Sequence, residues 1–219
     1  MSWLVEAVRL LAKGGYVMIP LIGCSVAAVA VLIERYYTIK KAQIDVSQVI
    51  RQAEDALYEG DPRRAQELAE SQESPVARVI AAGLRSSHLG ERCAERAMEE
   101  QGTREVSALS LRLGWLDTII TIAPLLGLLG TVTGMISAFG VIATTEGIST
   151  PTAITGGVAE ALIATATGLA IAIFTLIGYN NLQERIKEIV VRMETHATAM
   201  MNVLADCGEG PGEAKRLSA

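Results

Sequence analysis

The acidic residue Glu160 stands alone in a long apolar stretch, and its carboxyl group has the chemistry to take part in ion transfer. It is the single charged residue in the 37 positions from Gly147 to Gln183. A carboxylate in hydrocarbon costs about 2.5–3.5 kcal/mol on insertion scales, so such residues usually face a polar interior and serve function. A static hydrogen bond across a helix pair is the alternative role. We expect Glu160 to border a wet passage.

Threonine hydroxyls accompany this carboxyl group in two long apolar stretches, at Thr118, Thr121, Thr131 and Thr133 and at Thr165, Thr167 and Thr175. On an ideal helix Thr167, seven residues after Glu160, shares its face, whereas Thr165, five residues after, lies roughly 140° away. A Thr in a membrane helix often donates to the carbonyl four residues earlier, which is the alternative role for each. Hydroxyls projecting into a shared cavity would hold water and pass protons.

Small residues surround these polar groups and predict closely packed helices. The segment Gly130-Thr-Val-Thr-Gly134 is a GxxxG motif, which permits close approach of two helices. Pro124 predicts a kink unless neighbours resupply its lost hydrogen bond. The glycines expected to pack helices are Gly127, Gly130, Gly134, Gly157 and Gly168.

Three apolar segments are long enough to hold these residues inside a bilayer. Half of the residues are hydrophobic, only 4% are aromatic, and the mean hydropathy is +0.35. Residues 14–33 carry no charge, and twenty helical residues cross ~30 Å of hydrocarbon. This run ends in Glu34-Arg35 without a small-residue cleavage site, which favours an anchor over a signal peptide. The sequence therefore predicts an all-α membrane protein with three transmembrane helices.

The distribution of Lys and Arg near the span ends predicts the orientation. Most of them flank one side, and the connection between the second and third spans has none. We expect an N-terminus in the periplasm, a C-terminus in the cytoplasm, and long helices that continue into the cytoplasm. The predicted segments are a short periplasmic start (1–13), span one (14–33), a cytoplasmic helical segment (34–116), span two (117–143), a periplasmic turn (144–152), span three (153–182), a cytoplasmic helix (183–205) and a flexible tail (206–219).

The cytoplasmic segment is predicted to contain several helices. Ser47 is a candidate cap of the first, and Asp61-Pro62 begins another, with Pro at the first helical position. Pro75 opens a third. The charged stretch from Glu91 onward predicts a helix that runs straight into span two.

Composition excludes several function classes. The net charge is −5 without a basic concentration, which argues against nucleic acid as a partner. The three Cys are dispersed and the two His are far apart, so no metal site is expected. No GxxxxGK[ST] loop occurs, and no Ser/His pair or paired Asp lies at membrane depth. We expect neither an enzyme nor a cofactor.

Two long motifs resemble one known family. The segment Ala123-Pro-Leu-Leu-Gly-Leu-Leu-Gly-Thr-Val-Thr-Gly-Met-Ile-Ser-Ala-Phe139 is similar to the second span of the ExbB/TolQ/MotA proton-channel family. The segment Gly157-Val-Ala-Glu-Ala-Leu-Ile-Ala-Thr-Ala-Thr-Gly-Leu-Ala170 is similar to its third span. Three spans with the large segment after the first resemble the ExbB and TolQ branch.

The resemblance implies a motor subunit driven by the proton-motive force in the bacterial inner membrane. It implies a homopentamer around a single-span partner of the ExbD/TolR type, whose aspartate is protonated and released, with a TonB- or TolA-like protein as a further partner. The family's polar pore residues correspond to Glu160, Thr131 and Thr165. For Thr165 this correspondence favours an inner surface shared with Glu160, although ideal helix geometry places the two on different faces. Phe174 stands where many relatives have proline, so the effect of this position on gating is undetermined. A non-conducting scaffold is the alternative function, H⁺ is favoured over Na⁺, and the load is undetermined.

Overall fold

Every regular element in the part of the chain that this computed structural model describes is a helix. The described residues are 15–144 and 151–208, with side chains for 15–140 and 155–207. The predicted residues 1–13, most of the turn 144–152 and the tail beyond 208 therefore lie outside them. The helices are α1 (Met18–Ala42), α2 (Ser47–Tyr58), α3 (Pro62–Glu70), α4 (Pro75–Ser86), α5 (Glu91–Ser110), α6 (Leu113–Thr144) and α7 (Pro151–Gly208).

Local sequence signals explain how the short helices begin. The Asp61 side chain accepts a hydrogen bond from the amide of Arg64 at 3.0 Å, and Pro62 is the first helical residue. Ser74 does the same for the amide of Ala77 at 3.1 Å, ahead of Pro75. Each cap satisfies an amide that has no partner within the helix. Both helices thus begin where the sequence predicts.

Two local predictions are wrong. Ser47 does not cap α2, because its amide donates to the Asp45 carboxylate at 3.0 Å, so Asp45 supplies the acceptor. The helix that begins at Glu91 does not run into the second apolar helix. It ends at Ser110, and Arg112 has a φ of +64°, in the left-handed region.

The break between α5 and α6 has a tertiary cause. A non-glycine residue in the left-handed region costs on the order of 1–3 kcal/mol. The Arg112 guanidinium donates to both carboxylate oxygens of Glu34 on α1, and charge-assisted hydrogen bonds of this kind are the stronger ones. These bonds offset the backbone cost and hold the first turn of α6 against α1.

The chain divides into two compact units, which we describe separately. Unit 1 comprises residues 1–35 and 112–181, and unit 2 comprises residues 36–111 and 182–219. Within the described residues three helical segments are long and apolar enough to cross a membrane, with mean hydropathy of 1.8, 2.0 and 2.1 over their best windows. Only 22–28% of each window is buried. The exposed remainder is apolar, as the hydrocarbon of a bilayer requires, so the protein is a three-span membrane protein.

Unit 2 has its own core and an ion pair whose carboxylate is buried. Ile50, Ile80 and Met98 are almost completely buried there. Glu105 on α5 accepts two hydrogen bonds from the Arg78 guanidinium on α4, each of 2.6 Å, and one from Gln101 at 2.7 Å. Burial raises the pKa of Glu105, but these hydrogen bonds outweigh it and leave the pKa below its usual value.

We expect Arg78→Met to destabilise unit 2 by ~2 kcal/mol, because Glu105 is left buried without its cation. Since the pKa of Glu105 is lowered on folding, the pair stabilises the protein above the unfolded carboxyl pKa of about 4.3 and this contribution is lost as the pH falls through the folded value. The variant should lose that acid sensitivity. Thermal unfolding in mild detergent between pH 7 and pH 3 measures both effects.

Arg85→Met is the matched control, because the Arg85–Glu70 pair on the same helix is exposed on both sides. Such pairs contribute about 0.2–1 kcal/mol. Equal destabilisation by the two substitutions would contradict the importance of burial.

Candidate intramembrane polar site

Helices α6 and α7 pack along a seam of glycine and alanine. A Cβ atom added to Gly168 of α7 would lie 2.5 Å from the carbonyl oxygen of Ala123 and 3.1 Å from the Cα of Gly127, both on α6. Further along, a Cβ on Gly134 would lie 3.0 Å from the carbonyl oxygen of Gly157. The two backbones are therefore in van der Waals contact, which side chains larger than hydrogen would prevent.

Gly130, the remaining glycine of this set, lies where three helices meet. A Cβ on Gly130 would be 2.5 Å from the Cβ of Ala164 on α7 and 3.7 Å from Val17, just before α1. The start of α1 is thus packed on one side of the α6–α7 pair.

Thr165 joins α7 to α6 by a hydrogen bond. Its hydroxyl donates to the carbonyl oxygen of Gly127 at 2.9 Å, and the side chain is half-buried. This differs from the local i−4 bond that threonines in membrane helices often make. The close backbone contact at Gly127 and Gly168 brings the carbonyl within reach of the hydroxyl.

Thr131 lies on the same flank of the helix pair as Thr165. It follows Gly127 by four residues, so the two occupy one face of α6. The Thr131 hydroxyl donates to the carbonyl of Leu128 at 2.6 Å and its side chain is half-buried. A shallow concave surface of about 530 Å³ begins at Thr131 and continues over Val132, Met135, Ile136 and Phe139.

Glu160 lies on another flank of α7, beside the residues that precede α1. Its side chain is half-buried, and a Cβ on Gly15 would collide with its carboxyl group. Gly15 has a φ of +69°. Thr167 shares the face of Glu160, and its hydroxyl donates to the carbonyl of Ile163 at 2.8 Å. Among the described residues no ion pair is recorded for Glu160.

The structure thus arranges the four polar candidates as two pairs. Thr131 and Thr165 form one pair, next to the α6–α7 seam, and Glu160 and Thr167 form the other, on the α1 side of α7. Helical geometry separates Glu160 from Thr165, as the spacing of five residues indicates. The four side chains therefore share no single helix face in the part of the chain that the structure describes.

Sequence reasoning missed Gly15 and Arg112. The Gly14-Gly15 pair at the start of the apolar run was a usable signal, because Gly tolerates positive φ and close approach. Arg112 gave no signal, since its conformation depends on a carboxylate 78 residues away.

The chemistry open to this site is proton or ion transfer through hydroxyls, water and a carboxyl group. Between residues 15 and 140 and between 155 and 207 no group of three or more His, Cys, Asp or Glu side chains could hold a metal ion.

Comparison with known proteins identifies related chains. The model of the MotA/TolQ/ExbB proton channel family matches residues 71–195. The chain is 38% identical over 168 residues to an ExbB-like biopolymer transport protein of Synechocystis, covering 75% of this chain and 66% of that one. It is 35% identical over 166 residues to the biopolymer transport protein ExbB1 of Vibrio cholerae, covering 73% and 71%.

A third relative comes from another system. The chain is 38% identical over 109 residues to the Tol-Pal system protein TolQ of Pseudomonas aeruginosa, covering 50% of this chain and 47% of that one. The chain therefore spans less than two thirds of the length of the Synechocystis and Pseudomonas relatives.

Proposed function

Because this chain belongs to the MotA/TolQ/ExbB proton channel family, we propose that it is a ring-forming subunit of an inner-membrane motor driven by the proton-motive force. Five copies surround a single-span partner of the ExbD/TolR type and conduct protons together with it. The flow moves the partner helices and performs work on an envelope load, in import or in envelope maintenance. The N-terminus lies in the periplasm and the C-terminus in the cytoplasm.

The observation that carries this proposal is the half-exposed carboxyl group of Glu160 in the third apolar helix of a family member. A carboxyl group at membrane depth is retained at a cost of several kcal/mol unless polar surroundings compensate it. Within the copy described, the side chain is not sealed between helices. A wet passage between copies supplies the missing polar surroundings.

Thr131 and Thr165 line the second part of the proposed route. Their common flank beside the α6–α7 seam supports contact with the partner helix, whose carboxyl group passes along these hydroxyls. Thr167 extends the polar face of Glu160. The two pairs, which are apart within one copy, come together when the α7 flank of one subunit faces the α6–α7 flank of the next.

The membrane potential supplies enough free energy to drive such a motor. One elementary charge falling through ~100 mV releases ~2.3 kcal/mol, to which a pH gradient adds. That biases an equilibrium of a few kcal/mol between two packed arrangements of helices. No cofactor takes part, and the chain itself carries out no catalysis.

Dissipating the gradient distinguishes this motor from a static scaffold. Cysteine cross-links between the subunit and its single-span partner should change in pattern when an uncoupler is added to living cells. In a scaffold the cross-links are the same with and without the uncoupler. An unchanged pattern would reject the motor.

Thr165→Val should lower proton flux several-fold, because it removes a hydroxyl from the route and keeps the shape of the side chain. It should also cost ~1 kcal/mol of stability, the usual net contribution of one hydrogen bond. Flux into reconstituted vesicles and thermal unfolding of the same preparation measure the two effects. Thr165→Ser, which keeps the hydroxyl, should restore most of the flux.

Thr133→Val is the control, since Thr133 is exposed and bonds only within α6, to the carbonyl of Leu129 at 3.0 Å and that of Gly130 at 3.2 Å. A loss of stability in Thr165→Val with undiminished flux would assign Thr165 a packing role alone.

A further inference from the structure

Unit 2 contains a large groove that the ion route does not use. Helices α4, α5 and α7 enclose about 890 Å³ of open space. Its apolar lining includes the methionines Met98, Met193 and Met201 and the valines Val79, Val106 and Val190. Methionine is flexible and polarisable, and it is frequent on surfaces that accept apolar side chains of a partner.

Carboxylates edge this groove, and no cation lines it. Glu95 and Glu99 lie on α5 and Glu194 lies on α7. None of the fifteen lining residues is Lys, Arg or His. An apolar floor with acidic edges is complementary to a segment that combines apolar side chains with Lys or Arg.

Gly102 gives independent support for a docked partner. It lies in the middle of α5 and lines the groove, and a Cβ added to it would meet no atom within 4 Å. A glycine inside a helix weakens the helix relative to alanine, so its presence calls for a reason. Close approach of a foreign backbone is such a reason.

Three other glycines in unit 2 have internal reasons. Gly60 and Gly90 have positive φ, and Gly83 packs against the side chain of Met98. Gly102 differs from all three, because its φ is not positive and a Cβ added to it would meet no atom of the described residues within 4 Å.

Charge distinguishes a cationic segment from a second copy of this chain as the occupant. Unit 2 has 15 Lys and Arg residues against 19 Asp and Glu residues, so it is itself acidic and less complementary to the carboxylate edges of the groove.

We propose that this groove binds a cationic, amphipathic segment of a partner protein. The apolar side chains of that segment contact the half-exposed Met201, Val106 and Val190, and its Lys or Arg side chains face Glu95, Glu99 and Glu194. The backbone of the segment approaches α5 most closely at Gly102. This docking does not depend on ion passage, because no residue of the groove belongs to the intramembrane polar site.

Photo-cross-linking in intact cells tests the docking. The full-length chain carries p-benzoylphenylalanine in place of Met201 and is expressed at native level in its own host. Mass spectrometry then identifies the cross-linked peptide. We expect a peptide from another protein, with two or more Lys or Arg interspersed among apolar residues.

Charge and shape variants decide whether the captured segment occupies the groove. The double substitution Glu95→Lys with Glu194→Lys should reduce the cross-linking yield about tenfold, since each edge ion pair contributes less than ~1 kcal/mol and is replaced by repulsion. Gly102→Leu should reduce it similarly by filling the space. Glu184→Lys and Cys93→Leu, exposed on the same helices but outside the groove, should leave the yield unchanged.

Compensation and folding controls complete the experiment. Substitution of Glu for the Lys or Arg residues of the captured peptide should restore cross-linking to the Glu95→Lys, Glu194→Lys variant. Each variant must keep the wild-type thermal midpoint, and a variant that does not is replaced by the single substitution Glu99→Lys. Capture of a second copy, of residues 209–219, of lipid or of an uncharged peptide would overturn the proposal, as would a yield insensitive to charge reversal.

The docking experiment can be interpreted separately from the experiments on proton flux. Proton flux through reconstituted complexes of the groove variants reports on the proposed motor alone. Normal flux with lost cross-linking supports the docking site, and lost flux in Glu160 variants with normal cross-linking leaves it intact.

Discussion

Glu160→Gln is expected to reduce the gradient-driven activity of the complex at least about tenfold. A tenfold change corresponds to about 1.4 kcal/mol in the equilibrium between the two packed arrangements of helices. Glutamine keeps the size of the side chain and its capacity to hydrogen-bond, and removes only the titratable charge. The half-buried position of Glu160 on the α1 side of α7 leaves its carboxyl group accessible to water or a passing cation. Growth or transport that depends on the membrane gradient measures the loss.

Glu184→Gln is the matched control on the same helix, since its side chain is 71% exposed in unit 2. It should retain full activity. Wild-type activity in Glu160→Gln would assign Glu160 a static hydrogen bond.

A companion substitution at Gly15 tests the position of the carboxyl group. The Cβ of Gly15→Ala collides with the Glu160 carboxyl group and also meets an unfavourable positive φ. We expect an intermediate loss of activity, because the carboxyl group is displaced and not removed. Gly23→Ala on the same apolar segment, where a Cβ meets nothing within 4 Å, should have no effect.

Gly168→Ala is expected to destabilise the α6–α7 pair by ~2 kcal/mol, within the range that overpacking causes. The added Cβ lies 2.5 Å from the carbonyl oxygen of Ala123, so the two backbones must separate. Separation also lengthens the Thr165–Gly127 hydrogen bond, and proton flux should fall with stability. Unfolding in a mixed-detergent titration measures the loss.

Gly156→Ala is the control on the same helix, because a Cβ there meets no atom within 4 Å. It should be neutral or stabilise the helix by up to ~1 kcal/mol through the higher helix propensity of alanine. Equal stability of the two variants would contradict the close seam at Gly168.

Local signals in the sequence were enough to predict most of the helices. Asp61-Pro62 and Ser74-Pro75 combine a side-chain cap with proline at the first helical position, so the starts of α3 and α4 depend on neighbours in sequence alone. The length and composition of the apolar segments predict the membrane-spanning helices. The glycine pattern of α6 and α7 indicated close packing, although not which residue meets which.

What the sequence could not reveal depends on distant partners. The end of α5 before Arg112 requires the carboxylate of Glu34 on another helix. The hydrogen bond from Thr165 to Gly127 requires the register of α7 against α6, which a single-helix argument lacks. The division of the polar candidates into two flanks follows from the same register.

Proton flux into vesicles tests the central claim most directly. The subunit and its single-span partner are reconstituted into vesicles with a pH-sensitive dye inside, and a potassium gradient with valinomycin sets the membrane potential. We predict flux that requires both proteins and disappears in Glu160→Gln. Flux equal to that of protein-free vesicles, or undiminished in Glu160→Gln, would contradict proton passage along this site.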